Sequence, residues 1–273
     1  MSIALDTAPH TRSASLHAAI RTTGLVGLAL IAIFVSLSDV IARAPADRSG
    51  YGPELQPPSM AFPFGTDLLG RDIFSETLHA LATTAGDAVL GMLVTMLAGG
   101  LAGFVLARLP FRSGYIMRWV AGILGSVPAL LLAILAVGIF GRDFVPYAAG
   151  LAAAPLAFSR AFDRARALGD SPHAEYARAS GIAVSTLLRR DLAYEFRDQF
   201  IAVAARALAA VTITLSTLGF LGFSAHRDLG LLIAAERSSY LQAWWTAAFP
   251  ALAILVLVLC ARLAATLEEG ERP

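Results

Sequence analysis

The chain has 273 residues, 57% of them hydrophobic and 15% charged, with a mean hydropathy of +0.67 and a net charge of +1. A soluble domain carries about 25% charged and about 45–50% apolar residues, so a water-soluble enzyme is disfavoured. A near-neutral chain also lacks the bulk field that grips nucleic acid. All 21 basic residues are arginine. Without lysine there is neither a G-x-x-x-x-G-K-[ST] phosphate loop nor a Schiff-base nucleophile. The single cysteine, Cys260, excludes an intrachain disulfide and a Cys-based zinc cluster.

Apolar stretches of about 20 residues predict six spans, over 22–42, 79–107, 119–140, 146–162, 199–223 and 244–265. The fold class expected is an all-α polytopic membrane protein. Pro146 and Pro155 make the fourth span the weakest. The first span, followed by Ala42-Arg43-Ala44, mimics a secretory signal with an A-x-A site. Its long leading segment and the five apolar spans behind it favour a membrane helix. With the N-terminus inside, fourteen arginines fall on inside segments and six on outside ones, the bias of a cytoplasmic assignment. Both termini are then cytoplasmic. The expected order is a tail over 1–21, the first helix over 22–42 and an outside segment over 43–78. A core over 79–266 follows, with an inside segment at 163–198, and a tail over 267–273 closes the chain. The proline-rich part, 45–63, is expected to run extended.

Three stretches depart from plain apolar filler. The first is Phe64-Gly65-Thr66-Asp67-Leu68-Leu69-Gly70-Arg71-Asp72-Ile73-Phe74-Ser75. Gly65 and Gly70 permit tight turns, Thr66 or Asp67 can cap a helical turn, and Arg71 sits between two acids. From chemistry alone it reads as an ordered outside loop closing over helix ends. The second runs from Asp170 to Asp191. Ser171-Pro172 is an N-cap followed by proline at the first helical position, and Gly181 is a helix stop. A helix of about nine residues, roughly 13 Å long, would carry Glu175, Tyr176 and Ala177, with Ser185 or Thr186 capping the next one. Such a helix suits either a partner's groove or the lipid headgroups. The third is Leu215–Phe223, with Trp244-Trp245 and Pro250 beyond it. Thr212, Ser216 and Gly219 form a small-residue strip that suits helix packing better than a solute path. The tryptophans suit an interfacial belt.

Together these stretches resemble the permease subunits of bacterial ABC importers of the dipeptide, oligopeptide and nickel class. The run at 64–75 is similar to that class's marker before its second span. Glu175-Tyr176-Ala177 with Gly181 is similar to its E-A-A-x-x-x-G element, and Ser216-x-x-Gly219-Phe220-Leu221-Gly222 to its S-F-L-G-L-G region. Departures include Ala193-Tyr194 in place of a Leu-Pro, a spacing from Glu175 to Gly181 about three residues short, and Ala82 in place of an arginine. The resemblance implies half of a membrane pore in the inner membrane, paired with a second permease. It further implies two ATPase subunits, holding ATP and Mg, docked on the cytoplasmic helix. An extracytoplasmic binding protein would deliver a peptide, nickel or an opine-type chelate. Glu175, Tyr176, Ala177 and Gly181 would couple the ATPases to the spans, and this chain itself would catalyse nothing.

Single residues add detail. Asp87 is the only acid well inside a span, where a charge costs about 2.5–3.5 kcal/mol at the bilayer centre. It is a candidate for lining the pathway, beside Thr212 and Ser216. Arg206 is expected to snorkel to the cytoplasmic interface. Gly99 and Gly103 form a small-xxx-small face, and Cys260 is a small apolar filler. His79, His173 and His226 lack ligand spacing, so no metal site is expected. Two rivals remain: an ion-coupled secondary transporter using Asp87, and an intramembrane hydrolase pairing Ser216 with His226, which falls outside the span.

Overall fold

The structure is a computed structural model that describes residues 8–45, 48–107, 111–169, 171–180 and 184–266. Its helices are α1 (Ala8–Ser36), α2 (Ser38–Ile41), α3 (Ile73–Thr95), α4 (Ala102–Leu106), α5 (Phe111–Ser126), α6 (Ala129–Phe140), α7 (Val145–Gly169), α8 (Pro172–Ala179), α9 (Val184–Phe220), α10 (Leu229–Ala235) and α11 (Trp245–Ala264). A π-helical turn, Met96–Leu101, joins α3 to α4, and a 3-10 turn, Arg142–Phe144, precedes α7. Among the described residues no strand forms beyond an isolated bridge between Thr66 and Asp72. The chain is an all-α polytopic membrane protein.

Four of the six expected spans are helices long and apolar enough to cross a membrane: Leu16–Ser36, Ile73–Leu106, Phe200–Phe220 and Trp245–Ala264. The third is not a straight crossing. Its two halves, Gly114–Ser126 and Ala129–Phe140, meet at 90°. Pro128 causes the break, because it offers no N–H and excludes helical geometry at Val127 before it. The fourth span forms a 25-residue helix, α7. It misses the apolarity of a crossing helix because alanine, Pro146, Pro155 and Arg160 take places that leucine would fill, and most of those alanines face protein. The helices α3, α4, α5, α6 and α9 all pack against it, burying Ala148, Ala149, Ala153, Ala157 and Phe162.

Lipid is as apolar as leucine, so close packing rather than water exclusion must hold these helices together. The seam between α3 and α7 shows how. A Cβ added to Gly91 would lie 2.8 Å from the Pro146 carbonyl, and one on Gly150 would lie 2.9 Å from the Val94 Cβ. Further along, Gly99 faces Ala154 and Ala157, and Gly103 faces Phe158, which gives the expected small-residue face its partner. The buried Thr95 hydroxyl lies 3.0 Å from its own helix's Gly91 carbonyl and 2.9 Å from the Gly150 carbonyl of α7. One proton is shared between two helices there. The first helix lies apart from this seam and packs chiefly on α11, where Gly27 meets the Cys260 side chain.

The bundle has two chemically distinct ends. At one, α2, the starts of α3 and α11, and α10 gather around residues 64–75, while the start of α7 lies further along α3, beside Gly91. At the other lie the ends of α4, α7 and α11 with the start of α5. There Arg118 holds Asp163 through two bonds, at 2.5 and 3.0 Å. Arg166 lies over the rings of Tyr115 and Phe162.

Gly91→Leu is expected to force α3 from α7, costing about 1–3 kcal/mol or more as an overpacked seam. Gly86→Leu on the same helix, where nothing lies within 4 Å, is expected to be neutral. Thermal melts of the two purified variants against wild type decide this. A Gly91→Leu protein that melts like wild type would refute the seam.

Candidate functional site

Residues 64–75 form a loop held by its glycines and by a buried aspartate. Gly65 and Gly70 both take positive φ, +74° and +66°. A side chain on Gly65 would also strike the Gln56 carbonyl and the Trp245 indole. Between these glycines, Asp67 closes the turn: its Oδ1 accepts from the backbone N–H of Leu69 and of Arg71, both at 2.8 Å. Its Oδ2 accepts from Arg71 Nε at 2.5 Å. Thr66 does not cap a helix. Its hydroxyl donates to the Pro53 carbonyl at 2.5 Å and accepts from Gln56 N–H at 2.8 Å. The helix cap is Asp72, which accepts from Phe74 N–H, Ser75 N–H and the Ser75 hydroxyl. Arg71 therefore pairs with Asp67, while Asp72 is committed to the first turn of α3.

The second partner of Arg71 is Glu236, at 3.4 Å and 165 residues away in sequence. A further ion pair joins Arg227 Nε to Glu76 Oε2 at 3.1 Å. Asp67, Asp72, Glu76 and Glu236 are all nearly fully buried, so this is an internal network that ties the loop and α3 to α10. Burial raises the Glu236 carboxyl above the usual range, aided by the nearby Asp67 charge and opposed by the Ser239 hydroxyl and the two arginines. Burial likewise raises Asp228, which caps α10 by accepting from Leu231 N–H at 2.7 Å. The buried Thr84 hydroxyl accepts from Leu229 N–H at 3.0 Å.

The proline-rich stretch before the loop is not simply extended. It folds against the loop, with Gly50 N–H to Leu69, Gly52 N–H to Gly70 and Leu55 N–H to Asp67 carbonyls. The two tryptophans part company. Trp244 stays exposed, as a belt residue would, whereas Trp245 is buried and its Nε1 donates to the Thr66 carbonyl at 3.1 Å. No spacing in the sequence announces Glu236 or Trp245 as partners of the loop, or Thr84 and Arg227 as the residues that join α3 to the segment around α10, since each meets its partner only through the fold.

At the other end of the bundle, α8 begins as expected. The Ser171 carbonyl accepts from Glu175 N–H at 3.1 Å, Pro172 opens the helix, and Ala179 ends it. Glu175 and Tyr176 are exposed, Tyr176 by 75%. Ala177 lies on this helix, and Gly181 lies outside the described residues. The next helix, α9, starts at Val184, so Ser185 and Thr186 fall inside its first turn and do not precede it as caps. Arg206 reaches toward the arginine-bearing end of the bundle, where it donates to the Ala265 carbonyl at 3.2 Å, one of the carbonyls left open at the end of α11.

The three pathway candidates separate. Thr212 is fully buried and its hydroxyl donates back to Leu208 at 2.8 Å. Ser216 is buried where its carbonyl meets Gly230 of α10. Both belong to the packing of α9. Asp87 alone opens onto space, a cleft of about 200 Å³ shared with Leu90, Arg142, Asp143, Tyr147 and His226. His226 is remote from Ser216 in role: its carbonyl accepts from the Ser224 hydroxyl.

No protein-family model matches the chain. Relatives do. The probable D,D-dipeptide transport system permease protein DdpC of Escherichia coli is 25% identical over 239 residues, which is 86% of this chain and 80% of that protein. The di/tripeptide transport system permease protein DppC of Pseudomonas aeruginosa is 27% identical over 208 residues, 74% of this chain and 68% of that protein. The peptide transport system permease protein SapC of Salmonella typhimurium is 28% identical over 255 residues, 88% and 84% respectively. The resemblance carried by the motifs thus extends over most of the chain. It is a multi-pass inner-membrane protein similar, over most of its length, to peptide transport system permease proteins.

Replacing Arg71 by Met strands two buried carboxylates and is expected to cost about 3–5 kcal/mol. Trp245→Phe removes one hydrogen bond and is expected to cost about 1 kcal/mol. Parallel denaturation of both variants checks the order. Because the Glu236 pKa is raised on folding, the folded state binds its proton more tightly than the unfolded one. Stability is then full below the ordinary glutamate value of 4.5 and falls as pH rises through the raised pKa. Glu236→Gln is expected to flatten that fall in a melting series across pH; an unchanged slope would assign it elsewhere.

Proposed function

We propose that this chain is one permease subunit of an ATP-driven importer, forming half of the translocation pathway for a small peptide. The observation that carries this reading is the relationship to peptide-transport permeases over most of the chain. The exposed helix α8 supports it from the opposite end. An eight-residue capped helix with Glu175 and Tyr176 facing outward has the form of a plug for a partner's groove. Two ATPase subunits would receive it, one on each permease, and Gly181 would permit the turn into α9. ATP and Mg belong to those partner chains, since this one has no lysine for a phosphate loop.

The arginine-rich end of the bundle is then cytoplasmic and the end around residues 64–75 extracytoplasmic, where a solute-binding protein would dock. Both termini face the cytoplasm in this arrangement. A second, homologous permease completes the pore. Transmission follows from rigidity: a helix seated in a groove moves as a body and tilts the helix attached to it.

Affinity purification of the tagged chain, co-expressed with its genomic neighbours, tests the proposal. An ATPase is expected to co-purify with wild type and to be lost from a Glu175→Arg, Gly181→Trp variant present at equal membrane levels. Absence of any ATPase from wild type would favour ion-coupled transport. Retention by the variant would keep the importer and move the docking helix elsewhere.

A further inference from the structure

Asp87 lies about 20 Å along α3 from Ile73, counting 1.5 Å per residue. Its carboxylate forms no hydrogen bond or ion pair among the described residues. It is half-buried at the inner wall of the cleft, whereas Arg142, Asp143 and His226 are exposed around it. Apart from Ser224, whose hydroxyl is taken up by the His226 carbonyl, the remaining walls are apolar or aromatic, among them Leu90 of α3 and Tyr147 of α7, whose ring stacks on Phe144 at 5.4 Å. Behind the cleft, Asp228 is occupied in capping α10.

A lone carboxylate set into an apolar helix is expensive unless water or a cation meets it, and low-dielectric walls strengthen any charge that does. An aromatic wall favours a cation as well. The volume decides how much of a ligand enters. About 200 Å³ is below the roughly 300–1,000 Å³ that enclose a drug-sized molecule, so the cleft takes an end group and not a whole solute.

We propose that this cleft is an ammonium-binding subsite, with the Asp87 carboxylate as the ligand for the amino terminus of the transported solute. Arg142, Asp143 and His226 stand at its mouth, so an incoming zwitterion meets polar groups of both signs first and the Asp87 carboxylate deeper. This rests on the peptide-permease reading for its ligand, but the subsite is defined by charge and can be probed without transport.

The test uses membranes containing the chain with its partner chains, in a Cys260→Ala background carrying Ala225→Cys, an exposed wall position of the cleft. Labelling rates are compared for cationic 2-aminoethyl and anionic 2-sulfonatoethyl methanethiosulfonate, each relative to a free thiol in solution. The cation is expected to be favoured roughly tenfold. Asp87→Asn should abolish that preference, Asp87→Glu should keep it, and Asp143→Asn should keep most of it. Millimolar alanyl-alanine should slow labelling, and N-acetyl-alanyl-alanine should not. A preference that survives Asp87→Asn, or is removed by Asp143→Asn instead, would overturn the subsite. So would equal protection by the two peptides, or none by either. An ATPase captured without the preference leaves the importer and removes the subsite. The preference and protection without an ATPase leave the subsite on a transporter driven by other means.

Discussion

The contact on which this structure depends is the approach of α3 to α7 along a strip of glycine and alanine. In water, two leucine-rich faces would be driven together. In lipid that drive is absent, and dispersion between closely approaching backbones takes its place. Gly91, Gly99, Gly103 and Gly150 remove the side chains that would hold the axes apart, and the shared Thr95 proton fixes the register. With α7 held this way, α4, α5, α6 and α9 can pack around it. The cleft at Asp87 lies between α3 and the start of α7, so its width is set by the same seam.

A second constraint acts at the loop end. Three buried acids, Asp67, Glu76 and Glu236, and two arginines there would be costly if any were left alone. Their pairing links residues distant in the chain, so the loop, α3 and α10 are fixed together or not at all. Backbone turns alone would not supply that cooperation. The positive-φ glycines set the path of the loop, while Asp67 and Arg71 hold it to α10.

Much of this was legible in the sequence, and the limits are physical. Long apolar stretches gave away α1, α3, α9 and α11, because lipid-facing surface must be apolar along its whole length. The same logic undervalues α7: a helix enclosed by other helices needs small residues, not hydrophobic ones, so hydropathy ranked the central helix last. The bend at Pro128 was available from the proline rule but was outweighed by the uninterrupted apolar run around it. Gly65, Gly70 and Asp67 read as turn formers and are. The role of Asp72 as cap of α3, and not as partner of Arg71, depends on where the helix begins, six residues before the apolar stretch. Glu236 and Trp245 could not be found by spacing at all, since sequence distance says nothing about contacts across 165 or 179 residues.

The continuity of α9 has a mechanical side. Its 37 residues, Val184–Phe220, make a rod of about 55 Å at 1.5 Å per residue. One end follows α8, and the other abuts α10 through Ser216 and Gly219. Such a rod is a lever whose fulcrum lies in its second half, where Ala202, Ala209, Val211 and Leu218 are buried and it packs on α3, α7 and α11. A pivot near Val211 leaves arms of roughly 40 Å toward Val184 and about 14 Å toward Phe220 at 1.5 Å per residue, whose tips move in opposite directions. A push on the long arm therefore arrives at the far end as a smaller, opposite displacement, with no hinge required between them.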